Sequence, residues 1–127
     1  MFERNGIIVG YDGFSYYCVM LKKREGFQGQ RAFVLPRKIL AKYCSVNPLI
    51  AGAYMTDIGY YPKAKYHYRE RLHGCDQDIL IYCQEGTGTV KIKNEEFKIK
   101  PGNFFIIPTG VPHKYAADER SPWTIYW

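Results

Sequence analysis

The stretch PGNFFIIPTGVPHKY, residues 101–115, is punctuated like a chain of short, sharply reversed strands. Pro101-Gly102 supplies the residue types of the two central positions of a type II turn, the second of which takes a positive φ. Phe104 to Ile107 then reads as a brief apolar strand, Pro108-Thr109-Gly110 as a loop, and residues 113–117 as the next strand. His113 and Tyr115 lie two apart on that strand and therefore share a face. A histidine and a phenol side by side leave three readings of His113: a metal ligand, a group that binds a small molecule, or packing that orients the loop at Pro108.

The same punctuation continues on both sides. The run DILIYC (78–83) is continuously apolar and is bounded by EGTG (85–88). Val90 and Ile92 alternate with Lys91 and Lys93, and Phe97 and Ile99 with Glu96, Lys98 and Lys100, which predicts a hairpin turning at Asn94-Glu95. Upstream, IAGAYMTD (50–57) is an apolar stretch. KYHYRERLH (65–73) sets Tyr66 and Tyr68 against His67, Arg69, Arg71 and His73, so the last four are expected on one face. DERSP turns the chain into WTIYW (123–127), where the sequence stops inside an apparent strand; a parent protein that continues is expected.

Strands at roughly 8–12-residue intervals with almost no helix predict a mainly β protein, a sandwich or a barrel. PRKILAKYC is the exception. Ile39, Leu40 and Tyr43 recur at helical spacing behind Pro36, a residue suited to a first turn, so a short helix is expected near 36–44. Gly26 to Arg31 is polar and Gly-rich and reads as a linker, and GIIVGYDGFSYYCVML (6–21) as a strand or a loose arm. The resulting division is an arm and linker over 1–47 and a barrel over 48–127.

Composition narrows the function classes. The 127 residues amount to one domain. No apolar run approaches the roughly 18 residues that span a bilayer, and MFERNGIIVG has no leader-like apolar segment, so a cytoplasmic protein without a membrane partner is expected. Cys18, Cys44, Cys75 and Cys83 form no Cys-x-x-Cys pair and support neither a zinc knuckle nor a redox motif. The net charge of +6 has one tight cluster, Lys22-Lys23-Arg24, which reads more simply as a solvated basic face than as a nucleic-acid groove. Aromatics reach 17%, with Tyr in excess, as suits side chains that pack at one end and hydrogen-bond at the other. Ser15, Ser45 and Ser121 have no neighbouring histidine, and Glu95-Glu96 reads as a solvated corner. EGTG lacks the Lys-Ser/Thr of a phosphate loop.

Gly102, Pro108, Gly110 and His113, separated by five, one and two residues, resemble the second sequence motif of the cupin superfamily. In metal cupins the first motif supplies His-x-His and then a glutamate. Here Arg71-x-His73 and Asp78 stand in that place, and a cation beside a divalent metal is unfavourable, so neither a metal nor another cofactor is expected.

More broadly, TDIGYYPKAKYHYRERLHG (56–74) and residues 78–127 resemble the N-terminal effector-binding domain of bacterial AraC-type transcription regulators. The resemblance implies a cupin-like jelly-roll barrel with a short N-terminal helix and arm, and a small effector of the sugar class, bound without catalysis. It also implies control of DNA binding by a C-terminal helix-turn-helix domain of which this sequence shows no pattern, a possible homodimer, and an arm that folds over the occupied pocket. Carried over residue by residue, it assigns ligand binding to Arg71, Tyr115 and Trp127, and more loosely to Thr56. His113 stands beside them. Ile125 falls where the founding member has a second pocket histidine, a departure that puts the identity of the ligand in question. The alternative is a metal-dependent cupin enzyme, an isomerase or dioxygenase using His73, Asp78 and His113.

Overall fold

A computed structural model describes the backbone of residues 3–11 and 14–127 and the side chains from Leu21 onward. The strands in chain order are β1 (Glu3–Tyr11), β2 (Phe14–Lys22), β3 (Arg31–Val34), β4 (Asp57–Tyr61), β5 (Tyr68–Arg71), β6 (Ile79–Glu85), β7 (Gly88–Ile92), β8 (Glu95–Ile99), β9 (Phe104–Ile107), β10 (His113–Ala117) and β11 (Thr124–Tyr126). Between β3 and β4, α1 (Arg37–Ile39) runs directly into a wider π-helical turn, Leu40–Cys44, and buries no residue.

The pairing of the last eight strands is nested. β7 pairs with β8, β6 with β9, β5 with β10 and β4 with β11, every pair antiparallel. That is one long hairpin doubled over on itself. Two further seams, β10 with β7 and β11 with β6, close it into a four-stranded sheet β5-β10-β7-β8 and a five-stranded sheet β3-β4-β11-β6-β9. Apart from the tight β7–β8 hairpin, each connection from β4 to β11 crosses from one sheet to the other, which is jelly-roll connectivity.

Period-two patterning decides which side chains fill the space between the sheets. Ile81 and Cys83 of β6, Val90 of β7, Ile99 of β8, Ile107 of β9 and Ile125 of β11 are all buried. Trp123 closes the core with no exposed surface, its indole lying over Gly88. A Cβ at Gly88 would come within 2.1 Å of that ring, so EGTG is a corner built for close approach rather than a loose turn. On the outside of the five-stranded sheet, Phe33, Ile58, Leu80, Phe104, Ile106 and Tyr126 are exposed, an apolar face where one sheet side is usually polar.

The turn predictions hold at Pro101-Gly102, where Gly102 has φ 85° and Asn103 N donates to Lys100 O at 3.0 Å. Three readings need correction. Glu95 pairs with Ile92, so the hairpin turns one residue earlier, at Lys93-Asn94, with Lys93 at φ 55°. Gly26 to Arg31 is no linker: Phe27 is 8% exposed, its ring 5.0 Å from that of Tyr61 and 5.3 Å from that of His67. One buried aromatic ring outweighs the flexibility of its glycine neighbours. The apolar stretch at 50–57 is not a separate element: residues 50–56 hold turns and bends, and pairing starts at Asp57.

Replacement of Gly88 by alanine is expected to cost about 1–3 kcal/mol, because the methyl must displace a fully buried indole. Gly52, with open space around its Cβ position, is the control, expected within about 0.5 kcal/mol of wild type. Urea denaturation with an unchanged slope measures both.

Candidate functional site

β10 sets the inner wall. His113 sits opposite Arg71 of β5 on one side and Ile92 of β7 on the other, and Tyr115 sits opposite Arg69 and Val90. Opposed residues of neighbouring strands share a face, and Val90 is 1% exposed, so this row of side chains points into the barrel. Arg71 Nη1 donates to His113 Nε2 at 3.2 Å and to the Tyr115 hydroxyl at 3.3 Å. His113 Nδ1 lies 2.7 Å from the Val111 carbonyl, an acceptor, which puts the ring proton on Nδ1 and leaves Nε2 to accept from the arginine. Burial, and then the Arg71 charge, hold the His113 pKa below its ordinary value against the pull of the Val111 bond. His113 and Tyr115 rings stack at 5.9 Å and 5°. The histidine therefore faces the interior and also fastens the loop behind it.

The opposite wall is built by β4 and the end of β11. Trp127 and Gly59 exchange both backbone hydrogen bonds, at 2.8 and 3.0 Å. The indole rests on Gly59 so closely that a Cβ there would lie 2.3 Å from the ring. Trp127 Nε1 is buried and reaches no acceptor with hydrogen-bond geometry. Tyr61, whose phenol pKa is raised chiefly by burial, lies near enough to feel that indole without closing a bond. Ring contacts join the two walls without a gap: Trp127 to Tyr61 at 5.4 Å, Tyr61 to His67 at 5.3 Å, and His67 to Tyr115 at 5.5 Å.

His67 was not a candidate from the sequence, although the alternation of residues 65–73 already put it on the face of Arg69 and Arg71. It is 3% exposed, and its Nδ1 accepts from Trp123 Nε1 at 3.1 Å. Phe27, Tyr61, Tyr115 and Trp123 surround its ring. Burial first, then the charges of Arg69 and Arg71, lower its pKa to about 3.

Of the five candidate residues, the structure joins Arg71, His113 and Tyr115 by hydrogen bonds and Trp127 to them through aromatic rings. Thr56 precedes β4, where its carbonyl accepts from Leu35 N at 2.8 Å, tying it to the neighbouring segment rather than to the cluster. His73 does not share the arginines' face. β5 ends at Arg71, and His73 is exposed in the turn before Gly74, at φ 71°. Asp78 accepts from the Thr109 amide at 2.7 Å and its hydroxyl at 2.9 Å, which hold its carboxyl below the usual range. Among the described residues no group of three His, Cys, Asp or Glu side chains is placed to hold a metal ion. A surface cleft of about 420 Å³, lined by Lys23, Phe27, Tyr60, Lys63, Tyr66 and others, meets the aromatic cluster through Phe27 and includes none of the five candidates.

A jelly roll with donors and aromatic faces inside, and glycine turns between its strands, is a barrel of the cupin type. Residues 58–127 match the AraC-like ligand binding domain family, and the chain belongs to that family. It is 37% identical over 97 residues to the MmsAB operon regulatory protein of Pseudomonas aeruginosa, covering 73% of this chain and 31% of that protein. It is 40% identical over 53 residues to the raffinose operon transcriptional regulatory protein of Pediococcus pentosaceus, covering 41% and 19%. It is also 33% identical over 67 residues to acireductone dioxygenase 4 of rice, covering 49% and 35%. The chain thus spans about a third or less of the curated relatives it matches. Among solved structures, an ethanolamine utilization protein Q from Salmonella typhimurium shares 14% identity at a TM-score of 0.46, over 99% of this chain and 93% of that one. No helix among the described residues is long and apolar enough to cross a membrane.

The neutral, buried His67 sets a pH dependence. Its folded pKa lies below the ordinary 6.5, so the unfolded chain takes up the proton first. The stabilisation is complete above about pH 6.5 and is lost as pH falls toward 3, with a limiting slope near 1.4 kcal/mol per unit. His113 acts in the same direction. Asp78 and Asp118, both depressed below 3.8, lose theirs at more acid pH. Between pH 7 and 5 the urea-derived stability is expected to drop by about 2 kcal/mol. In His67→Gln at least half of that drop should vanish; an undiminished drop would show that the histidine is not held neutral.

Proposed function

We propose that this chain is the sensory domain of a transcription regulator. A small effector enters the barrel, is held by hydrogen bonds and aromatic stacking without being chemically changed, and alters DNA binding by a helix-turn-helix domain outside residues 1–127. The observation that carries the reading is the junction of Arg71, His113 and Tyr115 with Trp127 across the interior, a guanidinium fork and two rings opposite an indole whose buried N–H closes no hydrogen bond among the described residues. Such a set holds a polyol: the fork addresses hydroxyls and the indole face packs on the apolar side of the ring. Two relatives named as operon regulators, one of a raffinose operon, support a regulatory role and a carbohydrate-like effector. In the same reading the arm that precedes β3 closes over the occupied barrel. Most of that arm lies outside the residues whose side chains are described.

The likeness to a dioxygenase favours a catalytic metal instead. Of the three ligands such a site requires, His113 faces the interior, whereas His73 is exposed and Asp78 is engaged with Thr109. Stoichiometric iron, nickel or manganese in protein purified without added metal would decide for the enzyme.

A thermal-shift screen of mono- and oligosaccharides and their derivatives tests the sensor. A ligand at about 100 times its Kd adds roughly 2.7 kcal/mol to stability. At least one compound is expected to raise Tm by several degrees, and Arg71→Ala to abolish that shift while the ligand-free protein still unfolds cooperatively. A hit equally strong in Arg71→Ala would place the binding site elsewhere.

A further inference from the structure

Two guanidiniums, not one, face the barrel interior. Arg69 and Arg71 are two residues apart on β5, opposite Tyr115 and His113, at a spacing of about 7 Å along the strand. Arg71 gives its hydrogen bonds to uncharged acceptors, a neutral imidazole and a phenol. Arg69 is half-buried and makes no hydrogen bond to a described residue. The groups acting on it are Tyr115, Tyr61 and two further cations, Arg71 and Arg24. Among the described residues no carboxylate pairs with either guanidinium. Desolvation, with those like charges, lowers the pKa of Arg69 and, with both arginines, that of His67.

Removing charge from water without a partner is unfavourable, and two adjacent cations repel. A neutral polyol satisfies hydrogen bonds and leaves that charge uncompensated. An anion removes the penalty, and a carboxylate meets the planar fork with two parallel N–H···O bonds. Trp127 Nε1 points the same way: it is a buried donor that closes no hydrogen bond among the described residues, with the Tyr61 phenol nearby. The binding partner must be rich in acceptors and negative at one end.

We propose, resting on the sensor reading above, that the effector is a small polyhydroxy carboxylate whose carboxylate is clamped between Arg69 and Arg71 while one of its oxygens accepts from Trp127 Nε1. The clamp makes Arg69, absent from the sequence-derived set, a specificity-determining residue. It selects an acid over the neutral sugar of the same skeleton.

Matched pairs test this, each differing by a carboxylate for a hydroxymethyl or aldehyde group: glucose and glucuronate, galactose and galacturonate, arabinose and arabinonate, with glucose 6-phosphate as a phosphoryl arm. Melting is followed at constant ionic strength. At least one acid is expected to raise Tm by about 3 °C or more where its neutral partner does not. The shift should shrink as salt rises and disappear in Arg69→Gln. Ligand-free Arg69→Gln is expected to melt at or above wild type, because the substitution removes an uncompensated charge; a fall of several degrees would mark a structural arginine and overturn the clamp. Equal stabilisation by both members of a pair, or by the neutral members alone, overturns the inference and leaves the sensor standing. A shift with the sugar phosphate and none with the acids replaces carboxylate by phosphoryl and overturns it as stated. No shift with any compound removes the sensor reading and the inference together.

Discussion

Everything inside this barrel depends on the register of β10 between β5 and β7. A slip of one residue would turn His113 and Tyr115 to solvent and bring Lys114 and Ala116 inward, because side chains alternate strictly along a strand. Several local devices hold that register. The Pro101-Gly102 turn closes with a bond from Asn103 to Lys100, Gly110 takes φ 74° ahead of the strand, and His113 binds the carbonyl two residues before it. The same imidazole therefore fixes the loop through one nitrogen and meets Arg71 through the other. Loop geometry and interior chemistry are set by one ring.

The interior is not designed for stability alone. His67 is buried neutral against two arginines, and among the described residues Arg69 has no anionic partner and the Trp127 indole N–H closes no hydrogen bond. Replacing such groups with apolar residues of similar volume often stabilises a fold, so packing alone gives no reason for them. The apolar rows of β6, β7, β9 and β11 and the fully buried Trp123 supply the stability that this deficit draws on. Gly59 and Gly88 serve the same end by letting two indoles lie directly against the backbone.

Much of this was legible before any coordinates. The period-two runs identified most of the strands from β5 onward, and Gly102, Pro108, Gly110 and His113 pointed to the barrel and to the histidine's place in it. Arg71 and Tyr115 came from the resemblance, and strand parity added only that each shares a face with a neighbour, Arg69 and His113 respectively. What escaped were features set by contacts distant in sequence. Phe27 looked like part of a glycine-rich linker, since nothing local announces that its ring packs against Tyr61 and His67. His67 had the right parity, but parity cannot tell a buried wall from a wet one. His73 had the same parity and failed because the strand ends two residues earlier, where Gly74 takes a left-handed conformation.

The two walls of the candidate site belong to different sheets, and on the proposed reading that placement would link occupancy to shape. Arg71, His113 and Tyr115 stand on the four-stranded sheet, while Trp127, Gly59 and Tyr61 stand on the five-stranded one. Among the described residues, ring contacts through His67 and from Tyr115 to Trp123 bridge them at this level, and ring contacts tolerate small shifts. A ligand held at the arginines and at the indole would tie the sheets with directional bonds and would favour the arrangement in which both are in reach. Its leverage equals its differential affinity for that arrangement and no more. Trp127 also pairs its backbone with Gly59 at the β4–β11 seam, and β3 hydrogen-bonds to the other side of β4. On the proposed reading, displacement of the indole would reach β3 along these backbone bonds.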